Sequence, residues 1–489
     1  MLPMLRGLPA CLCLAGMVAA ASPSSVAADT AEPIAAIEAP FPMPHLQRPV
    51  FPDRVVSIAD HGAVAGGTVK NTAAIKAAIE AVHAAGGGRV LVPGGVWLTG
   101  PVHLKSGIDL HLAAGAVLRF SDEFADYLPP VFVRSGGIEL WNYSPLIYAR
   151  DGTGIAITGP GRLDGNARAW WPWKTKESRR GFDAGAAGTP VEQRVFGTPE
   201  AAIRPSFVGL VSCTNVLLEG FTIGSGPNWT IHPIYCENVI VRRVTVATDG
   251  PNNDGIDPDS CRNVLIEHCV FDTGDDCVVL KSGYDHDGRR VGRPTENVVM
   301  RHCSARRGHG GLVIGSEMSG SVRNVFMHDC DFEGTDRVLR IKSRPGRGGV
   351  VERVWVENVT ARGMKREVVI LNMDYSADKN PVTDLHPPRF RDIHVKHLAA
   401  AGAPVAIRIV GMESSPIERV SFADMAIVAE AGVVAKHAAG VSFERVAITP
   451  TKGRLWDVEA VTELTRDGVP IVPEALDGDG GGRPRAPRP

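Results

Sequence analysis

Short apolar runs bounded by Gly, Pro, Asn and Asp dominate the chain from Arg89 onward, and almost nowhere does the 3.6-residue period of a helix take over. Arg89-Val90-Leu91-Val92-Pro93 is followed by Gly95-Val96-Trp97-Leu98, then Ile108-Asp109-Leu110-His111-Leu112, Ala116-Val117-Leu118 and Ile155-Ala156-Ile157-Thr158. Val55-Val56-Ser57-Ile58 predicts an earlier strand. One stretch differs: within 71–82 the apolar positions 75, 79 and 82 share a helical face, with Asn71 expected as the N-cap and Gly86-Gly87-Gly88 as the stop. A single amphipathic helix ahead of many strands suits a cap over the open end of a solenoid, where an uncovered coil would expose its strand edges.

Further along, the pattern becomes an explicit repeat. Asn215-Val-Leu-Leu, Asn238-Val-Ile-Val, Asn263-Val-Leu-Ile, Asn297-Val-Val-Met and Asn324-Val-Phe-Met begin at intervals of 23, 25, 34 and 27 residues. Weaker copies start at Arg353, Asp392, Arg419 and Gly440. A variable period of this length, with short strands in each unit, predicts an all-β fold, a right-handed parallel β-helix. The repeated Asn suits a turn in the left-handed backbone region, which Asn tolerates better than most residues. Antiparallel sandwiches would show hairpin signals instead, and a propeller would need a longer unit.

Three stretches are too long for the period and are expected to leave the coil as loops: Phe120 to Ser206, Tyr284 to Pro294 and Tyr375 to Pro388. The first is aromatic, with Trp141, Tyr143, Trp170, Trp171 and Trp173, and loops raised on a rigid scaffold commonly wall a binding site. The ends are simpler. Arg6, the apolar run Leu8 to Ala21 and the small residues around Val26-Ala27-Ala28 predict a signal peptide over 1–28, hence export to the periplasm or the medium. An Ala- and Pro-rich linker or arm spans 29–52, the catalytic β-helix 53–465, and a tail 466–489, its end too polar to order.

The formal net charge of −2 offers no basic field for nucleic acid, and no later run is apolar enough to span a membrane. Seven cysteines follow the leader (Cys213, Cys236, Cys261, Cys269, Cys277, Cys303 and Cys330), an odd number with no CxxC pair. Three of them stand two residues before a repeat Asn, the placement of stacked buried core residues. Neither a metal nor another cofactor is expected.

Chemistry concentrates in 251–282, PNNDGIDPDSCRNVLIEHCVFDTGDDCVVLKS. Asp254 and Asp276 are 22 residues apart, one repeat, so stacking would bring them side by side at about 4.8 Å, the strand spacing. Clustered carboxylates at such range are what glycosidic hydrolysis uses. Asp257 and Asp259 also suit plain turn residues. Following coils add His309, then Arg340 and Lys342, which flank Ile341 and so share a strand face; Tyr375, Trp229 and His232 fall at similar phases. Two cations on one face suit a substrate carboxylate.

Asn252-Asn253-Asp254, Gly274-Asp275-Asp276, Gly308-His309-Gly310 and Arg340-Ile341-Lys342 resemble, in order and spacing, the four signature motifs of the polygalacturonases, glycoside hydrolase family 28. Asn228 to Pro233, Ser343 to Gly349 and Asp374-Tyr375 are also similar, so that the likeness runs from about Val55 to Ile448 and points to the bacterial exo-type branch. Asn253 departs from the pattern, where most members have Thr. The resemblance implies inverting hydrolysis of α-1,4-galacturonosidic bonds in homogalacturonan or its oligomers. Asp275 would be the general acid, Asp254 and Asp276 would activate water, and His309 would orient the carboxylates. Asn252, Trp229, His232, Arg340, Lys342 and Tyr375 would contact substrate. The loops lead us to expect exo-action by a monomer. Within the family, rhamnogalacturonan and xylogalacturonan hydrolases are the alternatives; outside it, a pectate-lyase-like enzyme or a non-catalytic carbohydrate-binding β-helix.

Overall fold

The computed structural model describes residues 32–375 and 386–471; the expected signal peptide, most of the Tyr375–Pro388 loop and the end of the tail lie outside them. The chain divides into two compact units, Met1–Ala35 and Ala36–Pro489, and of the first only four residues are described, none in regular secondary structure. The second unit is the right-handed parallel β-helix that the repeat predicts.

Three parallel ladders build it. The first joins Val55–Ser57, Gly88–Val92, Ile108–Leu112, Thr153–Thr158, Thr214–Glu219, Glu237–Arg242, Arg262–Glu267 and Thr295–Arg301 before entering longer strands. The second runs from Gly95–Thr99 through Arg162–Asp164 and Thr245–Ala247 to Ser304–Arg307. The third carries Ile147–Arg150, Val208–Val211, Ile231–Ile234, isolated bridges at Ile256 and Asp259, then Val278–Leu280, Leu312–Gly315, Leu339–Lys342 and Glu367–Asn372. Val, Ile and Leu from all three fill the core; Ile256, Val278, Leu280, Leu312, Ile314, Leu339 and Ile341 are each 0% exposed. Alternation then turns Asp257, Lys281, Arg340 and Lys342 of the third ladder to its other face.

The repeat Asn residues do what their type allows. Asn215, Asn238, Asn263, Asn297 and Asn324 all have φ between 54° and 58°, and Arg353, Asp392 and Arg419 repeat the turn at 51° to 56°. Their side chains form a ladder along the solenoid: each Nδ2 donates to the Oδ1 of the previous rung, at 3.1, 3.0, 3.0 and 2.8 Å, and Arg353 Nε closes the series on Asn324 Oδ1 at 2.7 Å. All seven described cysteines are buried and unpaired.

The expected helix is Thr72–Ala84, which buries Ile75, Ala78, Ile79 and Val82 against the first strands. Asn71 stands at the N-cap position, as expected, but makes no capping hydrogen bond through its side chain. Its side chain instead holds the preceding loop, accepting from Val64 N–H and donating to the carbonyls of Val64, Val69 and Leu98. Residues 36–52 form an arm docked on the coils: the Phe41 ring lies 5.8 Å from Trp355, and Arg48 pairs with Glu219.

Two helices occur where only loops were expected. Arg180–Ala186 lies in the long excursion, and Asp285–Val291 in the insertion after Leu280, with Asp285 and Asp287 at its start and Arg289 and Arg290 at its end, a charge order that favours a helix. The excursion itself is a packed body. Trp170 and Trp173 cluster with Phe124 and Tyr143, ring centroids 4.4 to 5.7 Å apart. Its antiparallel hairpin, Val131–Ser135 with Ile138–Asn142, is fastened to the solenoid by Arg134 and Asp259, both side chains 0% exposed and 2.8 Å apart.

Candidate active site

Asp254 and Asp276 meet as the 22-residue interval predicts. Gly255 N–H donates to the Asp276 carbonyl at 2.9 Å, so the two aspartates occupy the same level on adjacent coils. Asp275, next to Asp276, is the most open of the three, its side chain 20% exposed against 1% for Asp276 and 4% for Asp254. The carboxylates of Asp275 and Asp276 and the His309 imidazole each present an atom within 4.8 Å of the others. Thus the most accessible carboxylate of the three is flanked by two that are nearly enclosed.

His309 Nδ1 lies 2.9 Å from Asp275 Oδ1. Its glycine neighbours have a steric reason: Gly308 adopts φ 146°, and a Cβ there would stand 2.6 Å from Cys277 Sγ. Burial alone would raise the Asp275 pKa, but the His309 hydrogen bond and the positive charges of Lys342, His309 and Lys281 outweigh it and hold the carboxyl well below the usual range. The same hydrogen bond raises His309 against the opposing effect of its partial burial. Together they are an imidazolium–carboxylate pair in the free site.

Asp254 is the opposite case. Burial first, then the charges of Asp275 and Asp257, push its pKa well above that of an ordinary carboxyl, with Lys281 opposing them. Asp276 is compensated directly: Lys342 Nζ lies 2.7 Å from Oδ2 and Arg340 reaches Oδ1 at 3.5 Å. Lys342 is therefore committed to a catalytic-site carboxylate, whereas Arg340 touches it only at the limit of a hydrogen bond. The Tyr375 ring centre is 5.4 Å from both cationic groups.

Asn252 donates to Asp275 Oδ2 at 3.4 Å and is itself held by Arg204, which reaches Asn252 Oδ1 at 2.8 Å and the Pro251 carbonyl at 2.6 Å. Arg204 comes from the far end of the long excursion, and no local pattern marks it. Asn253, where the motif usually has Thr, is 0% exposed; its Oδ1 accepts from Thr248 Oγ1 and Gly250 N–H, and its Nδ2 donates to the Gly226 and Asn228 carbonyls. The longer amide thus ties three segments beneath the aspartates.

Trp229 and His232 lie below the site. Trp229 is 8% exposed, stacks edgewise on His232 with centroids 4.8 Å apart, and carries Lys281 Nζ 4.1 Å above its ring. His232 is 2% exposed, 3.5 Å from Asp259, and its pKa is lowered by burial. The fold brings together Asp254, Asp275, Asp276, His309, Asn252, Arg340, Lys342 and Tyr375, while His232 stays enclosed. Lys281, Glu317 and Arg204 complete the surroundings and were given no role from the sequence, and Asp257, there a plain turn residue, lies among them; the outward strand position of Lys281, directly after Val278–Leu280, was the signal available for it.

A cluster of aspartates graded in exposure, with cations at hand on the outer face of a parallel β-helix, is the kind of site that glycosidic hydrolysis uses. The chain belongs to the glycosyl hydrolases family 28, whose family model matches residues 191–443. A Vitis vinifera protein named "Probable polygalacturonase" is 30% identical over 382 residues, covering 76% of this chain and 74% of the relative. The exo-poly-alpha-D-galacturonosidase of Dickeya chrysanthemi is 28% identical over 466 residues, 86% of this chain and 75% of the relative. The crystal structure of a hyperthermoactive exopolygalacturonase from Thermotoga maritima superposes with a TM-score of 0.79 at 42% identity, covering 83% of this chain and 94% of that one.

Proposed function

We propose that this enzyme hydrolyses the α-1,4-galacturonosidic bonds of polygalacturonate with inversion, working inward from a chain end. The observation that carries the reading is the half-buried Asp275 set against the enclosed, level pair Asp254 and Asp276. The accessible carboxyl can reach a glycosidic oxygen, and the two beside it can hold and deprotonate a water for attack on the anomeric carbon. The proton for the leaving oxygen belongs to the Asp275–His309 pair as a unit and rests on the imidazole in the free site. Pressing a glycosidic oxygen against Asp275 displaces water and draws that proton to the bond that breaks.

Arg340 supports an acidic sugar, since its guanidinium keeps donors to spare and can fork onto a uronate carboxylate. Exo-action is supported by the names of the Dickeya chrysanthemi and Thermotoga maritima relatives and by the hairpin 131–142, which Arg134 pins to the coil bearing Asp259. The leader-like residues 1–28 support export to the periplasm or the medium.

The test is digestion of long polygalacturonate with product sizing and viscometry. Monomer or dimer accumulating while viscosity stays high is the expected result. A rapid fall in viscosity with mixed oligomers would defeat exo-action, unsaturated ultraviolet-absorbing ends would defeat hydrolysis, and inactivity on this polymer with activity on rhamnogalacturonan would defeat the substrate.

A further inference from the structure

Lys281 follows the strand Val278–Leu280 and is 2% exposed, so no substrate can reach its ammonium. That ammonium nevertheless sits among three carboxylates: Glu317 Oε2 at 3.1 Å, Asp254 Oδ2 at 3.7 Å and Asp257 Oδ1 at 3.8 Å, with the Trp229 ring closing the fourth side at 4.1 Å. Burial would lower the Lys281 pKa, but Glu317, Asp254, Asp257 and Asp276 together raise it, so the charge is permanent. Glu317 is held down to about 2 despite burial, by Lys281 first and then by Arg347 and Lys342. Lys281 is also the cation that lies against both Asp254 and Asp257.

Those two are poorly served otherwise. Asp257 is 0% exposed and neither of its oxygens finds an N–H or hydroxyl donor, its side-chain hydrogen bond being with the Asp254 carboxyl; Oδ1 of Asp254 is likewise buried without such a donor. A carboxylate without donors is costly to keep ionised away from water. Charged and titratable neighbours of the pair are Lys281, Asp275 and Asp276, with His232 on the preceding coil and Arg204 from the excursion. Only one of the carboxyls flanking Lys281 can take full benefit of its charge.

We propose that Lys281 is a positioning residue for hydrolysis, easing the ionisation of Asp254 and aiming it at the attacking water, while Asp257 competes with Asp254 for the same ammonium. This rests on Asp254 acting as a water-activating carboxylate. Opposite effects on one titration follow. Removing Lys281 makes Asp254 harder to ionise, and removing the charge of Asp257 makes it easier.

The experiment is the pH dependence of kcat/KM on polygalacturonate for wild type, Lys281→Gln, Lys281→Arg, Asp257→Asn and Asp254→Asn. Opposite charges at this range displace a carboxyl by about 1–3 pH units. Lys281→Gln should move the acid limb up by about that much, Lys281→Arg should return most of the way, and Asp257→Asn should move the limb down. A folded Lys281→Gln enzyme with an unmoved acid limb, while Asp254→Asn is inactive, overturns the inference alone. Near-normal turnover by Asp254→Asn overturns the reading it rests on. Should Lys281→Gln fail to fold, Asp257→Asn decides: a limb that stays or rises overturns the proposal.

Discussion

His309 Nδ1 stands 2.9 Å from Asp275 Oδ1 and gives the most exposed of the three aspartates its strongest partner. The pair raises one pKa and lowers the other, so a single proton serves both groups. Because the folded His309 pKa lies above its unfolded value, the stability contributed by the imidazolium is complete below about pH 6.5 and is lost as pH rises through the folded pKa. The depressed Asp275 pKa works in the other direction: its contribution is present above about pH 4 and is lost as pH falls through the folded value.

Asp275→Asn should reduce turnover by about 10²–10⁴-fold or more, the range of general acid catalysis, with folding intact because the change preserves shape. His309→Ala should lower turnover less and bring the alkaline limb of kcat down, since the imidazole no longer stores the proton. Initial rates across pH check both. Near-normal turnover by Asp275→Asn would remove it from the mechanism.

Lys342 and Arg340 should behave differently although they flank one residue. Lys342→Ala leaves Asp276 buried with only a distant guanidinium, and breaking a buried pair costs about 3–5 kcal/mol, so both kcat and stability should fall. Arg340→Ala should mainly raise KM, and its loss should shrink on methyl-esterified polymer, which has no carboxylate to accept a charged donor. Steady-state kinetics on the two substrates with urea unfolding separate these outcomes; equal behaviour of the two variants would contradict the assignment.

Asn263 is a middle rung of the asparagine ladder, with φ 58°, donating to Asn238 and accepting from Asn297. Asn263→Ala should destabilise by about 3–4 kcal/mol, from left-handed strain of about 1–2 kcal/mol and two lost hydrogen bonds of about 1 kcal/mol each. Asn263→Gly should recover the backbone part alone. Urea midpoints measure the difference.

Arg134→Met should loosen the hairpin 131–142 by stranding Asp259, at a cost of about 3–5 kcal/mol for one half of a buried pair. Early products from long polygalacturonate should then shift from monomer or dimer toward mixed oligomers, with faster viscosity loss. An unchanged product pattern in a destabilised variant would show that this hairpin does not bound the groove.

Much of this enzyme was legible before any coordinates. The turn residues report a local demand, a left-handed backbone that Asn215, Asn238, Asn263, Asn297 and Asn324 satisfy at every repeat, and the period between them counts out one coil. Once the coil length is known, Asp254 and Asp276 must stack, because strand register carries a residue to the one directly beside it. The helix face at Ile75, Ile79 and Val82 is equally local, while the Asn71 side chain was free to serve either the helix or the loop, and the nearby carbonyls of Val64, Val69 and Leu98 decided it.

What tertiary structure alone decided is who neutralises whom. Lys281 gathers Asp254 and Asp257 from one coil and Glu317 from another, and Arg204 reaches Asn252 from 48 residues away. The 22-residue register sets Lys281 beside the coil of Asp257, but Glu317 and Arg204 arrive across loops of unequal length, so no spacing encodes their part in the meeting. The protonation of Asp275 and Asp254 depends on exactly such contacts and on burial, since a carboxyl's pKa follows the charges and water within a few ångströms and not its place in a motif. Local conformation is written in residue type; electrostatic environment is written only in what the folded coils bring alongside.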